Sequence, residues 1–380
     1  GPRPQGNAVK LDPLPPSILP VDRVRRALGM LRAGQAADGI SALRTAAARE
    51  TTVVRILAMR VDFLDDSPGS KTTGNGRFDL RPPEEAEVLI DPPPHNRDYF
   101  ASHLEALSRY YATVTNGALR IEYDVYPTER DSAYHLPDTR KYGPWVFSNT
   151  NPDVLQHAID FVEESLVAVE ETDPGLDFSS YQSFMLFHAG ADYQGDINGD
   201  SRWDIPSFNL YVEDPFLVQD STVAINLVMV VPESVSQDGF LGAMNGVITH
   251  EFGHQLGFVD LYDVTVGAPV VGAFSLMDSG DNLYTAVVDS TLDPTSPDTL
   301  AVRGVLPAHL DPLHKLLYFP EGGRWHEPLD YLEGDADTFT VSLPAVELDN
   351  DILYVPLNLN EPMYRPWGEF LLVENRQFDL

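Results

Sequence analysis

The sequence predicts an α/β (α+β) fold in which a metal-binding helix lies across a cleft, and three observations carry that expectation. Apolar runs of strand length, Val53 to Phe63, Phe184 to Phe187 and Val223 to Val231, read as buried strands. Segments with helical spacing stand between them, an alternation that builds a sheet with helices on its faces. A His-Glu-x-x-His run then begins at His250, just beyond the last of these strands.

Taken in order, the chain opens with prolines at positions 2, 4, 13, 15, 16 and 20, which favour extended backbone, and a short arginine-bearing helix is expected from Val21 to Arg32. After the strand at 53–63 comes a glycine- and charge-rich loop. Phe100, Leu104, Leu107 and Tyr111 recur at helical spacing up to the Asn116-Gly117 break, and Leu119, Ile121, Tyr123 and Val125 then alternate as a strand. Asn151-Pro152 starts a second long helix, with Leu155, Ile159, Val162 and Leu166 expected on its inner face. No internal repeat is visible. The expected division is residues 1–50 as an N-terminal Pro/Arg-rich, prosegment-like extension, 51–322 as the catalytic domain, and 323–380 as its β-rich C-terminal part.

His250-Glu251-Phe252-Gly253-His254-Gln255-Leu256-Gly257-Phe258-Val259-Asp260 has the pattern H-E-x-x-H-x-x-G-x-x-D. Two histidines four apart share one side of a helix, so their imidazoles can converge on one cation. Glu251 sits beside them, free to act on water. Asp260 comes six residues after His254, and six residues would carry a straight helix about 9 Å away. The helix must therefore stop and turn back, and Gly257 is placed to do so because glycine takes the left-handed conformation without steric cost. His250, His254 and Asp260 are the expected zinc ligands and Glu251 the expected general base. Some twenty residues on, Phe274-Ser275-Leu276-Met277-Asp278-Ser279-Gly280 has the form of a Met-turn, which sets Met277 beneath the histidines.

These segments resemble the immune inhibitor A type zinc peptidases, the M6 family within the metzincin group. The stretch from His250 to the Asp-Leu-Tyr-Asp ending at Asp263 is similar to that family's zinc segment, and Phe274 to Gly280 to its Met-turn. Tyr99-Phe100 through Tyr110-Tyr111 to Asn116-Gly117-Ala118-Leu119 resembles the helix and strand that open the family's catalytic domain. Glu369 to Gln377 resembles a strand near its end. The resemblance implies a metzincin-like zinc peptidase domain, with zinc on His250, His254 and Asp260 and with Glu251 as base. Where some metzincins carry a tyrosine two residues after the Met-turn methionine, this chain has Ser279, so Tyr262 and Tyr284 are the candidates for stabilising an oxyanion. Because relatives continue with further strand beyond Gln377, a truncated chain is expected.

The functional expectation is a secreted, bacterial zinc endopeptidase that hydrolyses peptide bonds of protein or peptide substrates through a zinc-activated water with Glu251 as general base. The alternative is a non-catalytic metal-binding adhesin or binding module on a peptidase scaffold. Retention of Glu251 argues against it, since a scaffold needing only the metal has no chemical use for a base there. Absence of cysteine among 380 residues excludes disulfides, thiolate ligands and a cysteine latency switch. A net charge of −33 disfavours nucleic acid, and no apolar run is long enough for a transmembrane segment. The opening Gly1-Pro2-Arg3-Pro4 suggests numbering from a processed or cloned start.

Charge is unevenly spread. Residues 1–60 hold ten Lys and Arg against four Asp and Glu, a balance of +6, so the other 320 residues carry −39. The N-terminal segment therefore reads as a surface linker or as a prosegment docked within the molecule on an acidic body. Between the last two strands, Asp196, Asn198, Asp200 and Asp204 stand at offsets 1, 3, 5 and 9, the manner in which a loop wraps calcium. Ser201 and Ser207 replace the glycine and glutamate of an EF-hand, and an ordinary solvated turn is the other reading. Asp62, Asp65 and Asp66 form a second candidate cation cluster, whereas His188 reads as a hydrogen-bonded core histidine.

Overall fold

A computed structural model describes residues 16–19, 51–64, 72–86, 90–145, 153–289, 298–326, 338–356 and 370–377. The main sheet has the order β2-β1-β4-β6-β5, where β1 is Thr52–Phe63, β2 Leu119–Tyr126, β4 Ser183–Ala191, β5 Phe208–Val218 and β6 Val223–Ser234. The short β3, Tyr134–Leu136, pairs with the far end of β1. β1 and β4 run parallel to their neighbours and are buried on both faces, which is why their sequences are continuous apolar runs instead of alternating ones. β5 closes one edge antiparallel to β6. The predicted α/β layering is therefore present, with a mixed sheet.

Two long helices cover opposite faces. α1, Arg97–Val114, is capped by Asn96, whose side chain accepts from the amides of Asp98 and Tyr99. Phe100, Leu104, Leu107 and Tyr111 are buried, as their spacing predicts. Phe187 of β4 meets Phe100 of α1 at 4.4 Å between ring centroids, whereas the next residue, His188, meets Phe161 of α2, Asp153–Thr172, at 6.2 Å. Consecutive strand residues point to opposite faces, so the two helices do as well. On α2 the predicted inner face needs correction: Val162 and Leu166 are buried and Ile159 partly so, but Leu155 is 58 % exposed. The packed stripe is Ala158, Phe161, Val162, Ser165, Leu166 and Val169.

The His-Glu-x-x-His motif lies on α3, Met244–Leu256, which packs against α1. Tyr111 donates its hydroxyl to the Thr249 carbonyl at 2.8 Å and packs edge-on against Phe252. Gln255, fully buried, donates to the Phe184 carbonyl at the start of β4. These contacts fix the helix over the sheet. After it come the two-residue strands β7, Tyr262–Asp263, and β8, Ala268–Pro269, then the hairpin β9, Tyr284–Asp289, with β10, Asp298–Arg303. α4, Pro312–Tyr318, precedes β11, Arg324–His326, and α5, Val346–Asp349, leads into β12, Asp351–Pro356. β13, Phe370–Val373, completes a three-stranded sheet and carries the strand predicted near the chain's end. Trp325, Ile352 and Tyr354 join the same core as the main sheet.

Of the N-terminal extension, residues 16–19 are described. Ser17 donates its hydroxyl to the Leu256 carbonyl at 2.6 Å, the Ile18 amide donates to the Gln255 carbonyl at 2.9 Å, and Leu19 is buried. They satisfy carbonyls that the end of α3 would otherwise leave unpaired. The helix expected over Val21–Arg32 lies outside the described residues, as do Asp65 and Asp66. Asp62 is engaged by Arg77, at 3.0 Å, and by His135. Among the described residues, no helix is long and apolar enough to cross a membrane.

Candidate metal centre

α3 ends where the motif requires it to. Gly257 adopts φ 95° and ψ 15°, and its amide donates to the carbonyls of Gly253 and His254. The Phe258 amide donates to the Gly253 carbonyl at 2.9 Å, completing a helix stop that turns the chain back. Asp260 thereby returns to the histidines: its Oδ1 lies 3.3 Å from Nε2 of both His250 and His254.

Ring orientation is fixed from behind. His250 donates Nδ1–H to the Leu276 carbonyl and His254 to the Phe258 carbonyl, each at 3.0 Å. A carbonyl can only accept, so both Nδ1 atoms carry the proton and both Nε2 lone pairs face Asp260. Asp260 Oδ1 is sealed from solvent and takes no hydrogen bond. Three lone pairs converging in this way demand a positive charge among them. Without a metal that charge is a proton: burial disfavours it on His250, but Asp260 and Glu251 outweigh burial and push the His250 pKa up to about 10. A metal ion answers the same demand. Tetrahedral ligands about 2.0–2.1 Å from zinc stand about 3.3 Å apart, and both Asp260 separations have that value. The three donors fit the metal that the motif implies.

Met277 is fully buried, and a Cβ on Gly253, between the two histidines, would come within 2.7 Å of its sulfur. Its side chain therefore packs directly against the metal-binding stretch of the helix. Glu251 faces the cleft alongside His250, Tyr262, Asp192, Asp281 and Arg303. One carboxylate oxygen of Glu251 accepts from Asn209 Nδ2 at 3.0 Å, and the same amide also donates to the Glu251 carbonyl. Tyr262 stands in the cleft, where burial and the Asp260 and Glu251 carboxylates raise its pKa, so its hydroxyl stays a donor. Tyr284 is 63 % exposed on the hairpin, with the Arg303 guanidinium stacked on its ring and bonded to its hydroxyl, and it does not line the cleft.

The acidic loop differs from the sequence reading. Carboxylates of Asp196, Asp200 and Asp238 offer oxygens within 4.8 Å of one another. Asp204 is buried elsewhere and accepts from the Thr73 amide at 2.6 Å and from its hydroxyl. Asn198 contributes its backbone amide to Asp238 at 3.0 Å. Asp238 comes from a separate segment, beyond β6, so offsets within one loop could not reveal it. Asn209 was equally invisible, since an asparagine on a strand carries no signal of the glutamate it meets. His188 is buried, donates to the Ala189 carbonyl, and has its pKa lowered by burial to about 4, as fits a core histidine.

A helix that presents two histidines and a glutamate, a returning aspartate and a buried methionine packed against that helix together describe a metallopeptidase site. Residues 179–293 match the family model of the immune inhibitor A peptidase M6 catalytic domain, a stretch that includes the His-His-Asp group and Met277. That stretch is thus similar to an M6-family metallopeptidase catalytic domain. No curated protein matches the chain.

Proposed function

We propose that this protein is a secreted zinc endopeptidase in which Glu251 is the general base. The observation that carries the reading is the convergence of His250 Nε2, His254 Nε2 and Asp260 Oδ1 beside a glutamate that stays out of the cluster and faces the cleft. His250, His254 and Asp260 would hold zinc, which when bound would acidify a water and polarise the scissile carbonyl. Glu251 takes the water's proton and passes it to the leaving amine. Asn209 holds the Glu251 carboxylate in one orientation for both transfers. Tyr262 offers a protonated hydroxyl to the oxyanion. Asn209 lies on β5, one of the sheet's two edge strands, and an edge strand suits an extended peptide laid beside it.

Stripping metal with a chelator should abolish cleavage of an unfolded protein substrate, and about one zinc per chain should restore it. The same addition should fail for His254→Ala. Cleavage that persists in metal-free protein would sink the reading. Recovery of the protein in the culture medium or in the cell pellet tests its export.

Calcium at the acidic loop belongs to the same proposal. A cation that binds only the folded state raises stability, so thermal melts with and without calcium should separate. An Asp196→Ala, Asp238→Ala double variant should merge them, because both carboxylates lie in the cluster. Asp204→Ala should instead lower both melts alike, since it removes buried bonds to Thr73. Coincident melts for the parent chain would leave this loop a solvated turn.

A further inference from the structure

Asp260, the third ligand, sits between two backbone amides that are both tied down. On its C-terminal side, the Leu261 amide donates to the Met277 carbonyl at 2.7 Å. On its N-terminal side, the Val259 amide donates to Nε2 of His314 at 3.2 Å. His314 is the third residue of α4 and is fully buried. Its Nδ1–H donates to Asp311 Oδ2 at 2.7 Å, which leaves Nε2 as the acceptor that Val259 requires.

Asp311 does more than orient the ring. Its Oδ1 caps α4 by accepting from the amides of Leu313 and His314, at 3.1 and 3.0 Å. Its Oδ2 also accepts from the Ser275 hydroxyl at 2.9 Å, and that hydroxyl accepts in turn from the Met277 amide at 3.1 Å. The bonds close a circuit. It runs from Val259 through His314, Asp311 and Ser275 to Met277, and back through Leu261 to the other side of Asp260. Leu276, inside the circuit, holds the His250 ring. Phe258 stacks on His314 with centroids 4.7 Å apart, and Tyr318 donates its hydroxyl to the Gly257 carbonyl, so α4 forms the bed on which the return loop rests.

We propose that Asp311 and His314 are positioning residues for the metal: they fix the backbone that delivers Asp260 and lock it to the turn that orients His250. Both lie outside the segment that the family model matches. Nothing in the local sequence marks them, because the link is tertiary. The inference rests on the zinc reading above. Its physical basis is that a carboxylate ligand is only as well placed as the two peptide units beside it, and partners behind first ligands typically set metal affinity by 10–100-fold.

The test is zinc affinity, measured on the full chain by chelator competition. His250→Ala must first lose zinc, and if it does not, the zinc reading fails independently of this proposal. His314→Phe keeps the stack on Phe258 but removes both the acceptor for Val259 and the donor to Asp311. We expect its zinc Kd to rise roughly 10–100-fold, with faster hydrogen exchange at the Val259 amide. His314→Gln, which retains an acceptor and a donor, should recover most of the affinity and slow that exchange again. A packing role alone would not distinguish the two variants through the Val259 amide. Parental affinity in folded His314→Phe, or equal losses in the two variants, would overturn the assignment. Should His314→Phe fail to fold, Ser275→Ala opens the same circuit at the Met-turn with a minimal change in volume. It should weaken zinc severalfold, and parental affinity there would overturn the proposal.

Discussion

Glu251→Ala should fold, bind about one zinc per chain and lose at least ~10²-fold in peptidase rate, the typical contribution of a general base. Each part follows from a separate contact. Zinc is retained because the metal-facing donors are His250, His254 and Asp260, and Glu251 is not among them. The fold is retained because Glu251 is only partly buried and, among the described residues, its carboxylate is hydrogen-bonded by Asn209 alone. That partner is not orphaned by the change, since the same amide already donates to the Glu251 carbonyl. Glu251→Gln preserves the shape and even the contact to Asn209 but has no proton-accepting carboxylate, so it should be as inactive as the alanine variant. Metal content, circular dichroism and turnover of a quenched peptide substrate check the three parts. The same experiment separates the enzyme from a binding module, whose ligand affinity should be indifferent to the loss of a base. A metal-loaded Glu251→Ala chain that cleaves at the parental rate would dismiss the mechanism.

What the sequence disclosed depended on how local each signal was. β1 and the buried face of α1 follow from apolar periodicity, which needs only neighbours along the chain. His250, His254, Gly257 and Asp260 were legible because helix geometry and one left-handed glycine relate them within eleven residues. β5 was not. Its run Asn209-Leu-Tyr-Val-Glu-Asp-Pro-Phe-Leu breaks the alternation at Glu213-Asp214-Pro215, and its pairing with β6 shifts register between Tyr211 and Phe216. An irregular edge strand has no clean period to read. With β5 went Asn209, the partner of Glu251. Leu155 failed for the opposite reason: its spacing suited the inner face of α2, yet in the first turn it is its neighbour Val154 that packs on the core, and Leu155 faces outward. Asp238, Asp311 and His314 act on segments distant in sequence, and composition and spacing carry no record of such meetings.

Gly246→Ala should destabilise the protein, against what helix propensity alone suggests. Gly246 is the third residue of α3, and an alanine inside a helix is ordinarily more favourable than glycine by about 1 kcal/mol. The surroundings reverse the sign. A Cβ there would stand 2.1 Å from the Asp281 carbonyl oxygen and 3.0 Å from the Gly304 Cα, and both are backbone atoms that no rotamer change can move aside. Neither backbone is free to retreat. The Gly304 carbonyl accepts from the Gly246 amide at 2.9 Å, and the Gly304 amide donates to the Leu283 carbonyl at 3.1 Å, so helix and loop are already bonded at this approach. Overpacking a tight site costs typically about 1–3 kcal/mol, and more where only backbone can yield; that exceeds the propensity gain. Relief requires α3 to move away from the loop bearing Asp281, which lines the cleft beside His250 and Glu251. Gly246→Ala should therefore melt below the parent and bind zinc more weakly. Gly175→Ala serves as the control, since its added Cβ would meet nothing within 4 Å and should leave both properties unchanged. A Gly246→Ala melt at or above that of the parent would show that the contact between helix and loop is looser than this geometry, and that propensity governs the site after all.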